Sequence, residues 1–171
     1  TFNNALNKGR LAHAFLLTGI RGVGKTTTAR IIAKALNCIG DGSKEDPSFE
    51  ICNNCSPCKS INNGNFLDVI EVDAASRTGV DGIREIIDSV IYSPNNARYK
   101  VYIIDEVHML SNAAFNALLK TLEEPPQNVK FIFATTEIKK IPATIISRCQ
   151  KFDLQRVDLK TLSNHLKNIC Q

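Results

Sequence analysis

Residues 19 to 26 read Gly19-Ile20-Arg21-Gly22-Val23-Gly24-Lys25-Thr26, a glycine, four residues, then Gly-Lys-Thr. Few short patterns restrict a fold so tightly. The apolar run Ala14-Phe15-Leu16-Leu17 reads as a buried strand directly before it, and Thr26 to Leu36 reads as a helix directly after. Strand, glycine loop and helix in that order form the setting in which this spacing holds phosphate. Gly19, Gly22 and Gly24 let the backbone turn so that successive N–H groups surround an anion, with Val23 and Thr27 completing the loop. The helix N-terminus adds partial positive charge, Lys25 can reach terminal phosphates, and the Thr26 hydroxyl can ligate magnesium. A glycine turn preceding a lysine by accident is the bland alternative, and the flanking elements argue against it.

Downstream, strands and helices alternate. Leu67 to Asp73 reads as a strand, and Ile83, Ile86, Ile87, Val90 and Ile91 recur at helical spacing before Ser93-Pro94. Val101 to Ile104 is a continuous apolar strand of the kind buried on both faces of a parallel sheet. Ser111 can cap a helix with a stripe of Phe115, Leu118, Leu119 and Leu122, stopped by Pro125-Pro126. Val129 to Ala134 is a strand, Pro142 to Ser147 a short helix, and Lys151 to Leu154 a last edge strand. Asp158 opens a helix carrying Leu159, Leu162, Leu166 and Ile169, and residues 2 to 9 read as a helical tail. Right-handed crossovers then give a five-stranded parallel sheet with helices on both faces, a three-layer α/β/α fold of the P-loop NTPase kind.

Asp105 and Glu106 end the central strand, and ligands of open parallel sheets lie beyond the carboxyl ends of the strands. These acids would therefore emerge beside the phosphate loop. Asp105 can hold a magnesium shell, and Glu106 is placed to polarise a water for attack on a terminal phosphate. Acids at a strand end are common on surfaces; the phosphate loop is what gives this pair meaning. Thr135-Thr136 ends the next strand, where a hydroxyl can bond a terminal phosphate or merely finish a β-branched run. Arg148 follows a short helix and suits stabilisation of a phosphoryl group in a neighbouring subunit, although most single arginines are solvated.

With 171 residues, 43% of them hydrophobic, the chain suffices for one well-buried domain, and no apolar stretch reaches the length of a membrane span. A net charge of +4 is compatible with a nucleic-acid partner without requiring one, and Arg77 in a polar loop is either a phosphate contact or solvated. No tryptophan and three tyrosines argue against a stacking platform for single strands. Between Cys38 and about Asn65 polar residues dominate and periodicity fades, marking an insertion with four cysteines. Cys38, Cys52, Cys55 and Cys58 are separated by 13, 2 and 2 residues, which fits a closed tetrahedral zinc site better than an iron–sulfur cluster. Cys149 and Cys170 read as plain buried thiols or disulfide partners, and clustered thiols suit a reducing, intracellular compartment.

Taken together, these motifs resemble a known family. The phosphate loop with Thr27-Thr28-Ala29-Arg30, the cysteine insertion, Asp73-Ala-Ala-Ser-Arg-Thr78, Ile104-Asp-Glu-Val-His-Met-Leu110, Phe115 to Pro126, Phe133-Ala-Thr-Thr136 and Ser147-Arg-Cys149 are similar to those of bacterial DNA polymerase III gamma/tau subunits. Those subunits are the AAA+ ATPase motor of the sliding-clamp loader. The resemblance implies ATP at Gly19, Gly22, Val23, Gly24, Lys25, Thr26 and Thr27, with magnesium on Thr26 and Asp105. It implies Glu106 as catalytic base, Thr136 as sensor of the terminal phosphate, Arg148 as a finger acting in trans, and zinc on Cys38, Cys52, Cys55 and Cys58. The implied partners are the other subunits of a hetero-pentamer, the sliding clamp and primer-template DNA, in the cytoplasm and away from membranes. The implied layout is a nucleotide-binding domain over 1–157, truncated at its N-terminus, with the zinc insertion at about 38–65 and a helical lid beginning at 158–171. A chain so bounded is expected to bind nucleotide weakly and turn over slowly.

Other readings share parts of the pattern. Asp105-Glu106-Val107-His108 imitates the acidic box of helicases, a small-molecule kinase uses the same phosphate loop, and a scaffolding loader subunit would keep the fold without turnover. Lys25, Thr26, Asp105 and Glu106 all being present argues against the last.

Overall fold

The computed structural model describes residues 11–42, 46–76 and 80–169. The tail read as helical at 2 to 9, Arg77 and Cys170 lie outside them. Five strands, β1 (Ala14–Thr18), β2 (Val69–Asp73), β3 (Lys100–Asp105), β4 (Val129–Thr135) and β5 (Gln150–Asp153), form one sheet in the order β2-β3-β4-β1-β5. Every neighbouring pair is parallel. The helices are α1 (Lys25–Asn37), α2 (Ser56–Asn62), α3 (Val80–Val90), α4 (Asn112–Glu123), α5 (Ala143–Ile146) and α6 (Leu159–Ile169).

Alternation along the strands sorts the core into two layers. Phe15, Leu17, Val101, Ile103, Ile132 and Ala134 pack under α1 with Ala29, Ile32, Ala33 and Leu36. Leu16, Tyr102, Ile104, Phe131 and Phe133 point the other way, onto Ile83 and Ile86 of α3, Phe115 and Leu118 of α4, and Ile145 of α5. On that second face Tyr102, Phe131 and Phe133 stack in a row with centroids 5.4 and 6.0 Å apart. Fully burying each such side chain is worth about 1.5–3 kcal/mol. At the edge, β5 alternates half-buried and exposed residues and contributes less.

Two polar devices set where strands begin. The buried carboxylate of Asp68 accepts from the backbone N–H groups of Asn95, Asn96 and Ala97 at 2.9, 2.9 and 3.1 Å, shaping the loop that enters β3. The Asn37 amide bonds both N–H and C=O of Tyr99, tying the end of α1 to the same loop.

Register then aligns the strand ends. Thr18 lies opposite Thr135, and Asp73 opposite Asp105. Since β4 stands between β1 and β3, its carboxyl end falls between the glycine loop and the acids.

The structure departs from the sequence reading in four places. The insertion is less separate from the core than expected, because α2 docks on α1 and buries Ile61 in the core layer. Helix α3 ends at Val90, so Ile91 leaves the expected stripe and stands 80% exposed. Strand β2 starts at Val69 and Leu67 is exposed, because Asp68 between them is turned inward to accept from the loop that enters β3. Finally, α6 is capped as expected, with Thr161 N–H donating to Asp158 at 3.0 Å. Its stripe of Leu159, Leu162, Leu166 and Ile169 is nevertheless exposed.

Candidate functional site

Gly22 and Gly24 adopt φ of 79° and 95°, left-handed values that side chains resist, and the turn they make delivers the chain straight into α1. Gly19 is needed for a different reason. A Cβ there would lie 2.7 Å from the Leu154 carbonyl oxygen, so the loop can approach the end of β5 only without a side chain. Lys25, on the first turn of α1, is buried and its Nζ donates to the Gly19 and Ile20 carbonyls at 3.2 and 3.1 Å. The cation thus lies across the mouth of its own loop.

Thr26 donates its hydroxyl to Asp105 Oδ2. The other Asp105 oxygen accepts the Glu106 N–H at 2.9 Å. Arg21, Gly22, Gly24, Lys25, Thr26, Thr27, Asp105 and Glu106 line a single cavity of about 320 Å³. Residues expected to meet from positions far apart in sequence therefore do meet. Val23 and Gly19 shape the loop without lining the cavity, Val23 N–H reaching back to the Ile20 carbonyl at 3.4 Å.

Glu106 has φ of 46°, in the left-handed region that costs a non-glycine residue on the order of 1 kcal/mol. Its carboxylate oxygen Oε2 accepts from Thr136 Oγ1 at 3.1 Å and Thr136 N at 3.3 Å. Thr136 thus sits one residue past β4, against Glu106. Thr135, fully buried, faces His108 instead, Oγ1 to Nδ1 at 3.0 Å. Sequence reasoning left His108 without a task beyond its likeness to a helicase box. The available signal was its spacing, two residues from Glu106 on one tight turn, Val107–Met109.

Arg148 does not line the cavity. Its guanidinium donates to Glu123 Oε1 at 2.6 Å and to the Thr144 carbonyl at 2.7 Å, on the outer side of α4 and α5. Arg30 makes a paired contact with Glu71, both N–O distances 2.9 Å, bracing α1 against β2.

The four cysteines converge. The Sγ atoms of Cys38, Cys52, Cys55 and Cys58 all lie within 4.8 Å of one another, and Cys38 and Cys52 are 3.6 Å apart. A tetrahedral ion with metal–sulfur bonds of 2.3 Å needs sulfurs about 3.8 Å apart, so the set fits one. Backbone N–H groups point at the sulfurs, Cys52 N to Cys38 Sγ at 3.4 Å and Cys55 N to Cys52 Sγ at 3.3 Å. Bonds from the Cys55 and Asn54 backbone lower the Cys52 thiol to about 6, as suits a thiolate ligand. Cys149 differs: burial pushes its thiol up to about 12, which leaves it a packing residue.

Glycine loop, helix N-terminus and strand-end acids in this sheet order define a P-loop nucleotide-binding protein of the AAA+ class. The solved structures agree. A DNA polymerase III gamma subunit-related protein of Thermotoga maritima superposes with a TM-score of 0.59 at 25% identity, over 88% of this chain and 43% of that one. A RuvB mutant of the same organism gives 0.61 at 20% identity, over 96% and 46%, and shows the fold alone. The family model described as DNA polymerase III, delta subunit, matches residues 1–158, and the chain belongs to that family. It is 56% identical over 167 residues to DNA polymerase III subunit gamma of Buchnera aphidicola subsp. Acyrthosiphon pisum. It is 55% identical over 169 residues to subunit tau of Bacillus subtilis, and 52% over 166 residues to subunit tau of Escherichia coli. These matches take in 98, 99 and 97% of this chain and 45, 29 and 25% of the relatives, so the chain spans less than half of their length. The gamma/tau resemblance is borne out, and the helicase alternative draws no support from these relatives. Among the described residues no helix is long and apolar enough to cross a membrane.

Proposed function

We propose that this chain is the ATP-binding and ATP-hydrolysing part of a bacterial clamp-loader subunit, coupling nucleotide turnover to placement of a sliding clamp on primed DNA. One observation carries the reading: Lys25, Thr26, Asp105 and Glu106 surround a single cavity at the N-terminus of α1. Loop amides and Lys25 hold the phosphates, and Thr26 with Asp105 hold magnesium, which when bound neutralises charge on the phosphate oxygens. Glu106 accepts the proton of the attacking water, and Thr136 couples that carboxylate to the terminal phosphate. Arg148 serves the site of an adjacent subunit, consistent with its place outside its own cavity.

The nucleotide-binding domain runs through residue 157, with α6 opening a helical lid whose exposed stripe is its packing face. The cysteine quartet holds one zinc ion, because four sulfurs within 4.8 Å suit a single ion better than a wider iron–sulfur cluster. The working form is a cytoplasmic hetero-pentamer that grips the clamp and a primer-template junction.

The test uses the full-length protein in its assembly. ATP-dependent clamp loading is expected with the native chain and absent with Lys25→Ala, alongside at least a tenfold loss of ATP affinity, on the order of a lost charge-assisted contact. Unaltered ATP affinity in Lys25→Ala, or loading that ignores ATP, defeats the reading.

A further inference from the structure

Glu106 is hard to hold still. It carries three rotatable side-chain bonds and sits at a left-handed backbone position beyond the end of β3, at the start of the single turn Val107–Met109. An oxygen that is to meet a water in attack geometry must nevertheless be held there before the reaction.

The holding groups come from β4 and from the turn itself. Thr136 donates both its hydroxyl and its N–H to Oε2. His108 lies against the same oxygen, Nδ1 to Oε2 at 3.4 Å, with its side chain only 6% exposed. The imidazole is fixed in turn. Thr135 Oγ1 stands 3.0 Å from Nδ1 and accepts the Glu137 N–H at 3.0 Å, while Nε2 is 3.4 Å from Glu137 Oε1. Glu137 is anchored by Lys140 at 3.0 Å. Both ring nitrogens face polar groups at the end of β4. Here each partner either touches Glu106 or orients the ring that does.

We propose that His108 is a positioning residue for Glu106: Thr136 donates to Oε2, and the imidazole, with Nδ1 3.4 Å from that oxygen, confines it there, so that the other oxygen is presented toward the cavity. The assignment rests on the reading of Glu106 as base in the proposed function. His108 does not line the cavity. Its effect passes through the carboxylate, as outer groups orient the working members of other sites.

The test compares His108→Leu, which keeps bulk and removes polar atoms, with His108→Asn, whose amide nitrogen reaches the place of Nδ1. Both are read in the full-length protein within its assembly. For His108→Leu the dissociation constant for ATP is expected to hold and kcat to fall on the order of tenfold. Amide exchange in the peptide carrying Thr136 is expected to speed up toward that of Glu106→Ala. His108→Asn restores most of kcat and of the protection. Native kcat and protection in His108→Leu overturn the assignment, as does a parallel loss of ATP binding and melting temperature in both variants, which marks a packing role. If the native assembly fails to hydrolyse ATP while Thr136 exchange follows His108 and Glu106 as stated, the ATPase reading falls and the positioning stands. Exchange indifferent to His108 in an assembly that does hydrolyse ATP removes the positioning alone.

Discussion

Thr26 on the first turn of α1 donates its hydroxyl to Asp105 at the end of β3, 79 residues further along the chain. That bond joins the two halves of the candidate site, and it does so because α1 starts where β1 ends and β3 lies two strands away. Lys25, next to Thr26, reaches the loop carbonyls instead, so neighbouring residues serve opposite sides of one cavity.

Glu106→Gln is expected to separate binding from turnover. The amide keeps the shape and can still bond Thr136, so ATP affinity in the full-length assembly should stay within about twofold while kcat drops by roughly 10² to 10⁴, the range for loss of a general base. Steady-state turnover with equilibrium binding checks this, and a native kcat removes Glu106 from that role.

Arg148→Ala should leave binding by its own subunit intact. Its ion pair with Glu123 is partly exposed, and such pairs contribute at most about 1 kcal/mol, so the melting temperature should change little. Hydrolysis at the adjacent subunit should fall instead. Assemblies mixing native and substituted chains show whether the loss follows the neighbour.

Metal analysis of the purified protein should return one zinc per chain, and Cys38→Ser or Cys58→Ser should lose it along with stability of the 38–65 segment. The pH response has a definite sign. The Cys52 thiol is lowered to about 6, so its thiolate is present above that value and lost as pH falls through it. Acidification should favour zinc release, because protons compete with the ion for the four thiolates, and in stripped protein at neutral pH Cys52 should be the first of the four to alkylate. Retention of zinc after Cys38 and Cys58 are both replaced would contradict the assignment.

Gly19→Ala should destabilise the fold. The added Cβ meets the Leu154 carbonyl at 2.7 Å, a backbone atom that cannot rotate away, and φ of 152° is unfavourable for alanine. A loss of about 1–3 kcal/mol by denaturant titration is expected. Gly22→Ala, with open space around it, should cost only its left-handed φ, about 1 kcal/mol. Equal costs at the two positions would show that the contact with Leu154 does not matter.

Much was legible in the chain itself. The strand before the glycine loop, the helix after it, the buried run Val101 to Ile104 and the Ser111 cap, which accepts the Ala114 N–H at 3.2 Å, follow from local patterns of burial and hydrogen bonding. Those patterns are written within a turn or two of sequence, so periodicity and capping residues expose them. The acids and the cysteine quartet were legible for the same reason, as residue types whose spacing allows little else. The meeting of Asp105 and Glu106 with the phosphate loop was legible from the strand rule as well; what lay beyond reach was the rest of the mutual placement. Strand order alone sets the end of β4 between loop and acids, where Thr136 bonds Glu106 and Thr135 bonds the His108 ring beside it. The docking of Ile61 and the exposure of Ile91 were likewise settled by which surfaces came to face each other. Contacts between residues far apart in the chain depend on how sheet, register and helices pack as a whole, and no stretch of sequence carries that by itself.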